Sequence, residues 1–231
     1  IIEVNSETDF VSKNNEFIKF CEMISSIAIK SQSVEDLLQK KYDQENTVSS
    51  ALTNLIAKIG ENLKIRRFKN TSSGRNVAFY LHNKQTEHSG NLGVILSYDT
   101  ENTSETKNFA NQICMHIAAS SPLAIDKEGI SKDFLDKEKS IIKEQLANEG
   151  KKTEMIDKIL IGKINKILQE NALLNQKWVM NPDISVSKAI EDFKNGNKCN
   201  FLIKDFLRYK VGEGLEAKKD NFANEVASLT K

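Results

Sequence analysis

The sequence predicts an α+β fold of two similar lobes, in which small antiparallel sheets are packed by helices, with an inserted antiparallel coiled-coil helical hairpin. Short strand-like segments alternate with amphipathic helical segments, and one pattern of strand, polar loop and Phe-led helix occurs twice. A charge-rich stretch with two helical apolar stripes is inserted in the second lobe, after the second occurrence of this pattern. The predicted units are 1–73 for the first lobe, 74–130 and 175–212 for the second lobe, 131–174 for the hairpin and 213–231 for a C-terminal module.

The first lobe is predicted to begin with a strand over residues 1–4, followed by a polar cluster over 5–9 that is typical of a helix N-cap. A second helix ends at Gly60, where a left-handed residue would stop it, and a strand follows over 63–68. The buried face of the first helix is predicted from apolar residues at roughly helical spacing: Phe10, Phe17, Cys21, Ile24 and Ala28.

In the second lobe, hairpin strands are predicted over 76–82 and 92–98, and a cap-rich loop over 99–105 leads into a helix. A last strand is predicted over 206–211, followed by a hinge at 212–214. The helix that follows the loop over 99–105 has an apolar face formed by Phe109, Ile113 and Ile117. A terminal amphipathic helix is predicted from Phe222, Val226 and Leu229.

The hairpin is predicted from two apolar stripes separated by a turn at 148–150. The first helix carries Phe134, Ile141, Ile142 and Leu146. The second helix carries Ile156, Ile159, Leu160, Ile164, Ile167 and Leu168.

Composition bounds the classes of function. Hydrophobic residues make up 39% of the chain, which is enough for a packed core, and 33 basic against 32 acidic residues give a net charge of +1. Because near-neutral chains are not steered to polyanions, nucleic acid is disfavoured as the main partner. Three widely spaced cysteines predict no disulfide framework, and no apolar run is long enough for a membrane span.

The sequence contains no recognisable catalytic, metal or cofactor motif. The three histidines have no ligand-like spacing, and no phosphate-loop or dinucleotide-binding motif occurs. The sequence therefore predicts no metal, no cofactor and no direct nucleotide binding. One compact basic run is interpreted as an exposed strand face in preference to a phosphate-binding ridge: Lys64, Arg66, Arg67 and Lys69.

The segment over residues 3–13, Glu-Val-Asn-Ser-Glu-Thr-Asp-Phe-Val-Ser-Lys, closely resembles the signature segment of the elongation factor Ts family. Further blocks resemble the same family in the same order along the chain, so the likeness spans almost its whole length: 58–62 running into 65–67, Tyr80 with His82, 115–119, 178–182 and 211–214.

This resemblance implies a non-enzymatic guanine-nucleotide exchange factor that binds the GTPase elongation factor Tu. It places Phe10 as a wedge near the switch helix that supports the magnesium and phosphate site of the GTPase, and it implies a contact from the second lobe through His82. The C-terminal module would touch another helix of the GTPase. The partner-binding residues that it implies are Asp9, Phe10, Ile59, Gly60, Glu61, Asn62, His82, Met115 and His116.

The resemblance covers the core of the family. Residue 1 begins inside an apparent strand, so we interpret the start as a cut, and the N-terminal helical domain of the family would precede it. The expected compartment is the cytoplasm for a bacterial chain, and the mitochondrion or plastid for a eukaryotic one.

Without the resemblance, Asp9 would be a helix cap and Phe10 the first core residue of the following helix. The alternative function is a helical-hairpin assembly or interaction module without exchange activity, which would include a homodimer through the hairpin. A small α+β enzyme with an unrecognised site is the weaker rival.

Overall fold

The computed structural model describes residues 1–71, 74–101 and 103–215, with only the backbone described at 153 and 154. It combines helices with small antiparallel sheets, which confirms the α+β class. The predicted terminal helix lies outside the described residues. So do Ser72, Ser73 and Asn102.

The elements alternate along the chain. The helices are α1 Asn15–Ala28, α2 Val34–Gln39, α3 Val48–Ile59, α4 Ser104–Ser120, α5 Lys132–Asn148, α6 Thr153–Asn171 and α7 Val186–Asn197. The strands are β1 Ile2–Asn5, β2 Lys64–Phe68, β3 Asn76–Lys84, β4 Gly90–Asp99, β5 Lys177–Trp178, β6 Asn181–Ser185 and β7 Leu202–Lys210. Short 3-10 helices cover Val11–Lys13 and Leu173–Asn175.

The first core forms where α1, α2 and α3 pack against the antiparallel pair of β1 and β2. The N-cap of α1 is Asn14, whose side-chain oxygen accepts hydrogen bonds from the backbone N–H groups of Glu16 and Phe17. The polar cluster over 5–9 therefore does not cap this helix, and that prediction is wrong. The buried apolar residues of this core are Val11, Phe17, Phe20, Ile24, Ala28, Leu37, Val48, Leu55, Leu63 and Ile65.

The second core lies between helix α4 and the antiparallel sheet β3-β4-β7, in which β4 is central. Aromatic residues fill much of it, and the rings of Phe109 and Phe193 stack with centroids 4.1 Å apart. Thr103 begins α4 with a capping box, as the cap-rich loop predicts. The last strand begins at Leu202 and ends at Lys210, so it lies earlier and is longer than predicted.

Helices α5 and α6 contact each other and are joined by the four residues 149–152, which overlap the turn predicted at 148–150. Ile142 and Leu146 are buried, whereas Ile141, predicted on the same stripe, is 47% exposed. A third, small cluster lies at the base of the two helices, where they join the rest of the chain. Its buried members are Ala124, Ile130 and Ala172, with Phe134, Leu135 and Leu168 packed against them.

The side chain of Glu3 is buried in β1 and binds two arginines of β2. Arg66 Nη1 donates to Glu3 Oε1 at 2.9 Å, and Arg67 Nε donates to Glu3 Oε2 at 2.6 Å. The backbone N–H of Gly212, just after β7, also donates to Oε1 at 2.9 Å. Since Gly212 has φ of +75°, a residue with a side chain would be strained there. One carboxylate thus joins β1, β2 and the end of β7.

This cluster corrects the interpretation of the basic run. Arg66 and Arg67 do not form an exposed strand face, because both guanidinium groups turn onto Glu3, and Arg67 also lies over the ring of Tyr209 at 4.1 Å. Burial alone would raise the pKa of Glu3, but the hydrogen bonds from Arg66, Gly212 and Arg67 outweigh burial and lower it. The carboxylate is therefore charged at neutral pH.

Replacing Glu3 by Gln should lower the free energy of unfolding at pH 7 by about 3 kcal/mol, because it leaves two partly buried arginines without a counter-charge. Chemical denaturation measures this loss. The exposed Glu7 offers a matched control, and Glu7→Gln should change stability by less than about 0.5 kcal/mol.

The lowered pKa of Glu3 also fixes the pH dependence of this difference. Its contribution is fully present above the ordinary glutamate pKa of 4.5 and is lost as the pH falls below that value. The two stability curves should therefore converge in acid. Equal stability of Glu3→Gln and the unaltered chain at pH 7 would contradict the assigned role.

Candidate functional site

Phe10 lies on the loop between β1 and α1, and 78% of its surface is exposed. The next residue, Val11, is buried and begins the short 3-10 helix, in which Lys13 N–H donates to the carbonyl oxygen of Phe10 at 3.1 Å. The chain therefore anchors itself in the first core one residue beyond Phe10. The alternative in which Phe10 is a core residue is wrong, and the exposure that a wedge requires is present.

Two hydrogen bonds hold the loop from the other side. The backbone N–H of Thr8 donates to Glu61 Oε2 at 2.9 Å, and Thr8 Oγ1 donates to Glu61 Oε1 at 2.7 Å. The hydroxyl of Ser6 in turn donates to the Thr8 carbonyl oxygen at 2.7 Å. The loop that carries Asp9 and Phe10 is thereby joined to the segment that follows α3. Sequence separation hides this contact, since its partners are 53 positions apart along the chain.

The segment after α3 turns sharply at Gly60, which has φ of +79° and confirms the predicted left-handed helix end. Ile59 is partly buried, while Gly60 and Asn62 are exposed. Glu61 has a role within the chain, because both of its carboxylate oxygens accept hydrogen bonds from Thr8, and its contact with a partner stays a prediction. The contact between Thr8 and Glu61 thus joins the loop that carries Asp9 and Phe10 to the segment 59–62.

The predicted residues of the second core divide into exposed and buried ones. His82 is exposed on β3, an edge strand, and its Nδ1 lies 3.2 Å from the hydroxyl oxygen of Tyr80. Met115, on α4, is 39% exposed. His116 is fully buried, and this corrects its prediction as a partner-contacting residue.

His116 instead holds the interior of the second core together. The backbone N–H of Val179 donates to Nδ1 at 3.2 Å, so Nε2 carries the ring proton and donates to Gln176 Oε1 at 2.9 Å. Its ring stacks on Trp178 with centroids 5.2 Å apart. Burial lowers the pKa of His116, and the hydrogen bond with Gln176 only partly opposes this effect. Helical spacing from Phe109 is the sequence signal for this buried position.

A cleft of about 620 Å³ separates the loop and α1 from the sheet of the second core. Asp9 and Ser12 line one wall, and Phe79, which is 52% exposed, lines the other. Within the residues that the structure describes, no group of three or more His, Cys, Asp or Glu side chains could hold a metal ion. None of the described helices is long and apolar enough to cross a bilayer.

An exposed aromatic side chain on a loop that internal hydrogen bonds hold in place, beside an open cleft, is typical of a protein that acts by binding another protein. A family model described as elongation factor TS matches residues 7–213. The chain belongs to the elongation factor Ts family. It is a guanine-nucleotide exchange factor of translation elongation, and elongation factor Tu is its partner GTPase.

Bacterial relatives share this similarity over nearly the whole chain. The elongation factor Ts of Clostridium perfringens (strain SM101 / Type A) is 40% identical over 234 residues, which cover 99% of this chain and 75% of the relative. The elongation factor Ts of Clostridium acetobutylicum (strain ATCC 824) is 40% identical over 231 residues, which cover 98% of this chain and 74% of the relative. That of Clostridium botulinum (strain Alaska E43 / Type E3) is 38% identical, covering 98% and 75%.

The buried His116 predicts that stability falls as the pH is lowered from 7.5 to 5.5. The folded chain binds a proton at His116 less readily than the unfolded chain does, so stability is full above the ordinary histidine pKa of 6.5 and declines below it. The slope is at most about 1.4 kcal/mol per pH unit. Denaturant titrations across this range measure it.

Two variants test whether His116 causes this pH dependence of stability. His116→Gln should flatten the pH dependence, whatever its stability at pH 7.5, whereas His88→Gln should retain it, because His88 is exposed. An unchanged slope in His116→Gln would show that another group is responsible.

Proposed function

We propose that Phe10 is the residue through which this chain makes elongation factor Tu release GDP. The observation that carries the proposal is its 78% exposure on a loop held on both sides, by the Glu61 bonds to Thr8 and by the buried Val11. A large apolar side chain gains nothing for the fold in this position. It is available to be buried in a partner.

Burial of Phe10 in the GTPase is of the right size for this effect. An exchange factor binds the GTPase conformation in which magnesium and phosphate contacts are impaired, so factor and nucleotide weaken each other's binding. Burying a phenylalanine contributes roughly 1.5 to 3 kcal/mol, and each 1.4 kcal/mol of coupling weakens nucleotide binding about tenfold. A single wedge therefore accounts for a large increase in GDP release.

The remaining residues complete the interface in this proposal. Asp9, Ile59, Gly60 and Asn62 contact the partner together with Phe10 from the first core, and the exposed His82 contacts it from the second core. Met115 is retained as a contact of the second core because part of its side chain is exposed. His116 is excluded because it is buried.

The architecture and setting of the function follow the same reasoning. We take the two cores as the two lobes, divided at about residue 73, and α5 with α6 as a coiled-coil insertion in the second lobe. The chain acts without catalysis and without binding nucleotide itself, since exchange needs only a difference in affinity between two states of the GTPase. Its bacterial relatives favour a cytoplasmic location.

Assembly through the hairpin is the second candidate function. Apolar side chains on the hairpin are open to a partner, with Ile141 47% exposed, Met155 50% and Ile161 65%. Such residues favour a contact with another protein or with a second copy of the chain. This contact would be separate from exchange.

Replacing Phe10 by Ala should lower GDP release from elongation factor Tu at least tenfold, because it removes the wedge. The free energy of unfolding should change by less than about 0.5 kcal/mol, because the side chain is exposed. Release of fluorescent GDP and denaturant melts measure the two effects side by side.

Ile29→Ala supplies the matched control, since Ile29 is 71% exposed at the other end of α1. It should leave both quantities unchanged. If Phe10→Ala exchanges normally, the wedge assignment is wrong.

Shortening the hairpin should leave exchange nearly unchanged. A variant with residues 138–164 replaced by a short Gly-Ser linker keeps the base cluster of Phe134 and Leu168, so the second core retains its support. GDP-release rates and light scattering measure exchange and assembly. A folded variant that loses exchange would refute the separation of the two functions, and loss of a dimer alone would support the assembly role.

A further inference from the structure

We propose that Glu61 is a positioning residue for exchange, whose carboxylate fixes Thr8 and thereby presents Phe10. The inference rests on the proposed role of Phe10 and deepens it. Its basis is that two hydrogen bonds, from the backbone N–H and the hydroxyl of Thr8, use both carboxylate oxygens of Glu61, at 2.9 and 2.7 Å.

These two hydrogen bonds, called here the Thr8–Glu61 clamp, lie close enough to Phe10 along the chain to restrict its position. Residues 6–10 belong to no helix or strand, and Phe10 lies two residues beyond Thr8 and one residue before the buried Val11. Without the clamp, the loop would be held only at its two ends, by β1 and by Val11, and Phe10 would sample more positions before binding. Ordering a loop on binding weakens association, so a loop ordered in advance binds more tightly.

The geometry after α3 explains why Glu61 can act in this way. The left-handed backbone of Gly60 ends the helix and turns the chain, and the next residue, Glu61, reaches the loop. A charged acceptor with two donors from one residue fixes direction as well as distance. Direct contact of Glu61 with the GTPase is the competing explanation, and it makes a different prediction for combined substitutions.

The test is a double-mutant cycle on GDP release from elongation factor Tu. Glu61→Ala removes both acceptors and should lower the exchange efficiency about fivefold to tenfold, and Thr8→Val removes only the hydroxyl donor and should lower it about threefold. Because the variants break the same clamp, the double variant should match Glu61→Ala alone. Thr8→Ser keeps both donors and should exchange normally.

A second cycle asks whether Glu61 acts through Phe10. In a Phe10→Ala background, adding Glu61→Ala should lower exchange no further, since there is no wedge left to position. Hydrogen exchange at the Thr8 amide should become faster in Glu61→Ala, which a contact with the GTPase alone would not cause. Denaturant melts should show unchanged stability, as they should for the control Glu45→Ala, an exposed carboxylate elsewhere.

The outcomes separate this inference from the function on which it rests. The positioning role would be overturned if the double variant lost exchange efficiency by the product of the two single losses, or if Glu61→Ala exchanged normally. Either result would leave the role of Phe10 as a wedge intact. Failure of the unaltered chain to accelerate GDP release would overturn both. The clamp is supported if Thr8→Val adds no loss of exchange to Glu61→Ala, and if Glu61→Ala adds none to Phe10→Ala.

Discussion

The carboxylate of Glu3 lies in the interior, where a charge is stable only if other groups replace the water it has lost. Arg66, Arg67 and the N–H of Gly212 supply that replacement, and they come from β2 and from the turn after β7. The strands must therefore converge on one point. Since β1 and β2 belong to the first core and β7 to the second, this point fixes how the two cores meet.

The functional loop depends on this arrangement because it begins where β1 ends. Its far end is held by Val11 in the first core, and its middle is held by the bonds between Thr8 and Glu61. These contacts leave Phe10 as the exposed part of an otherwise fixed segment. The side chain contributes to binding and not to stability, which is a common division at functional sites.

Periodicity was sufficient for the local parts of the fold. It predicted the strands β1 to β4, the end of α3 at Gly60 and the buried face of α4, because these depend on neighbours within a few residues. It could not reveal the pairing of Glu3 with Arg66 and Arg67, because the partners lie more than sixty positions apart and an alternating basic strand has the same pattern when exposed. The sequence does not distinguish the true cap of α1, Asn14, from the cluster over 5–9, because both are polar residues of the kind that cap helices.

The candidate site shows the same limit. Resemblance to the family implies that Phe10 and His116 both contact the partner, and only the structure distinguishes the exposed Phe10 from the buried His116. The helical spacing of His116 from Phe109 pointed inward, although the sequence block that contains it favoured a role at the surface. The hydrogen bonds of Glu61 to Thr8 could be recognised only from distances in the structure, because its carboxylate is equally suited to binding a partner's lysine or arginine.

In the proposed mechanism, this chain and GDP weaken each other's binding to elongation factor Tu. Calorimetry can compare the affinity of the chain for nucleotide-free and for GDP-loaded elongation factor Tu in the same buffer. Linkage requires that the factor by which GDP weakens the chain equals the factor by which the chain weakens GDP. We predict at least about tenfold tighter binding to the nucleotide-free form. Equal affinity for the two forms would contradict the account.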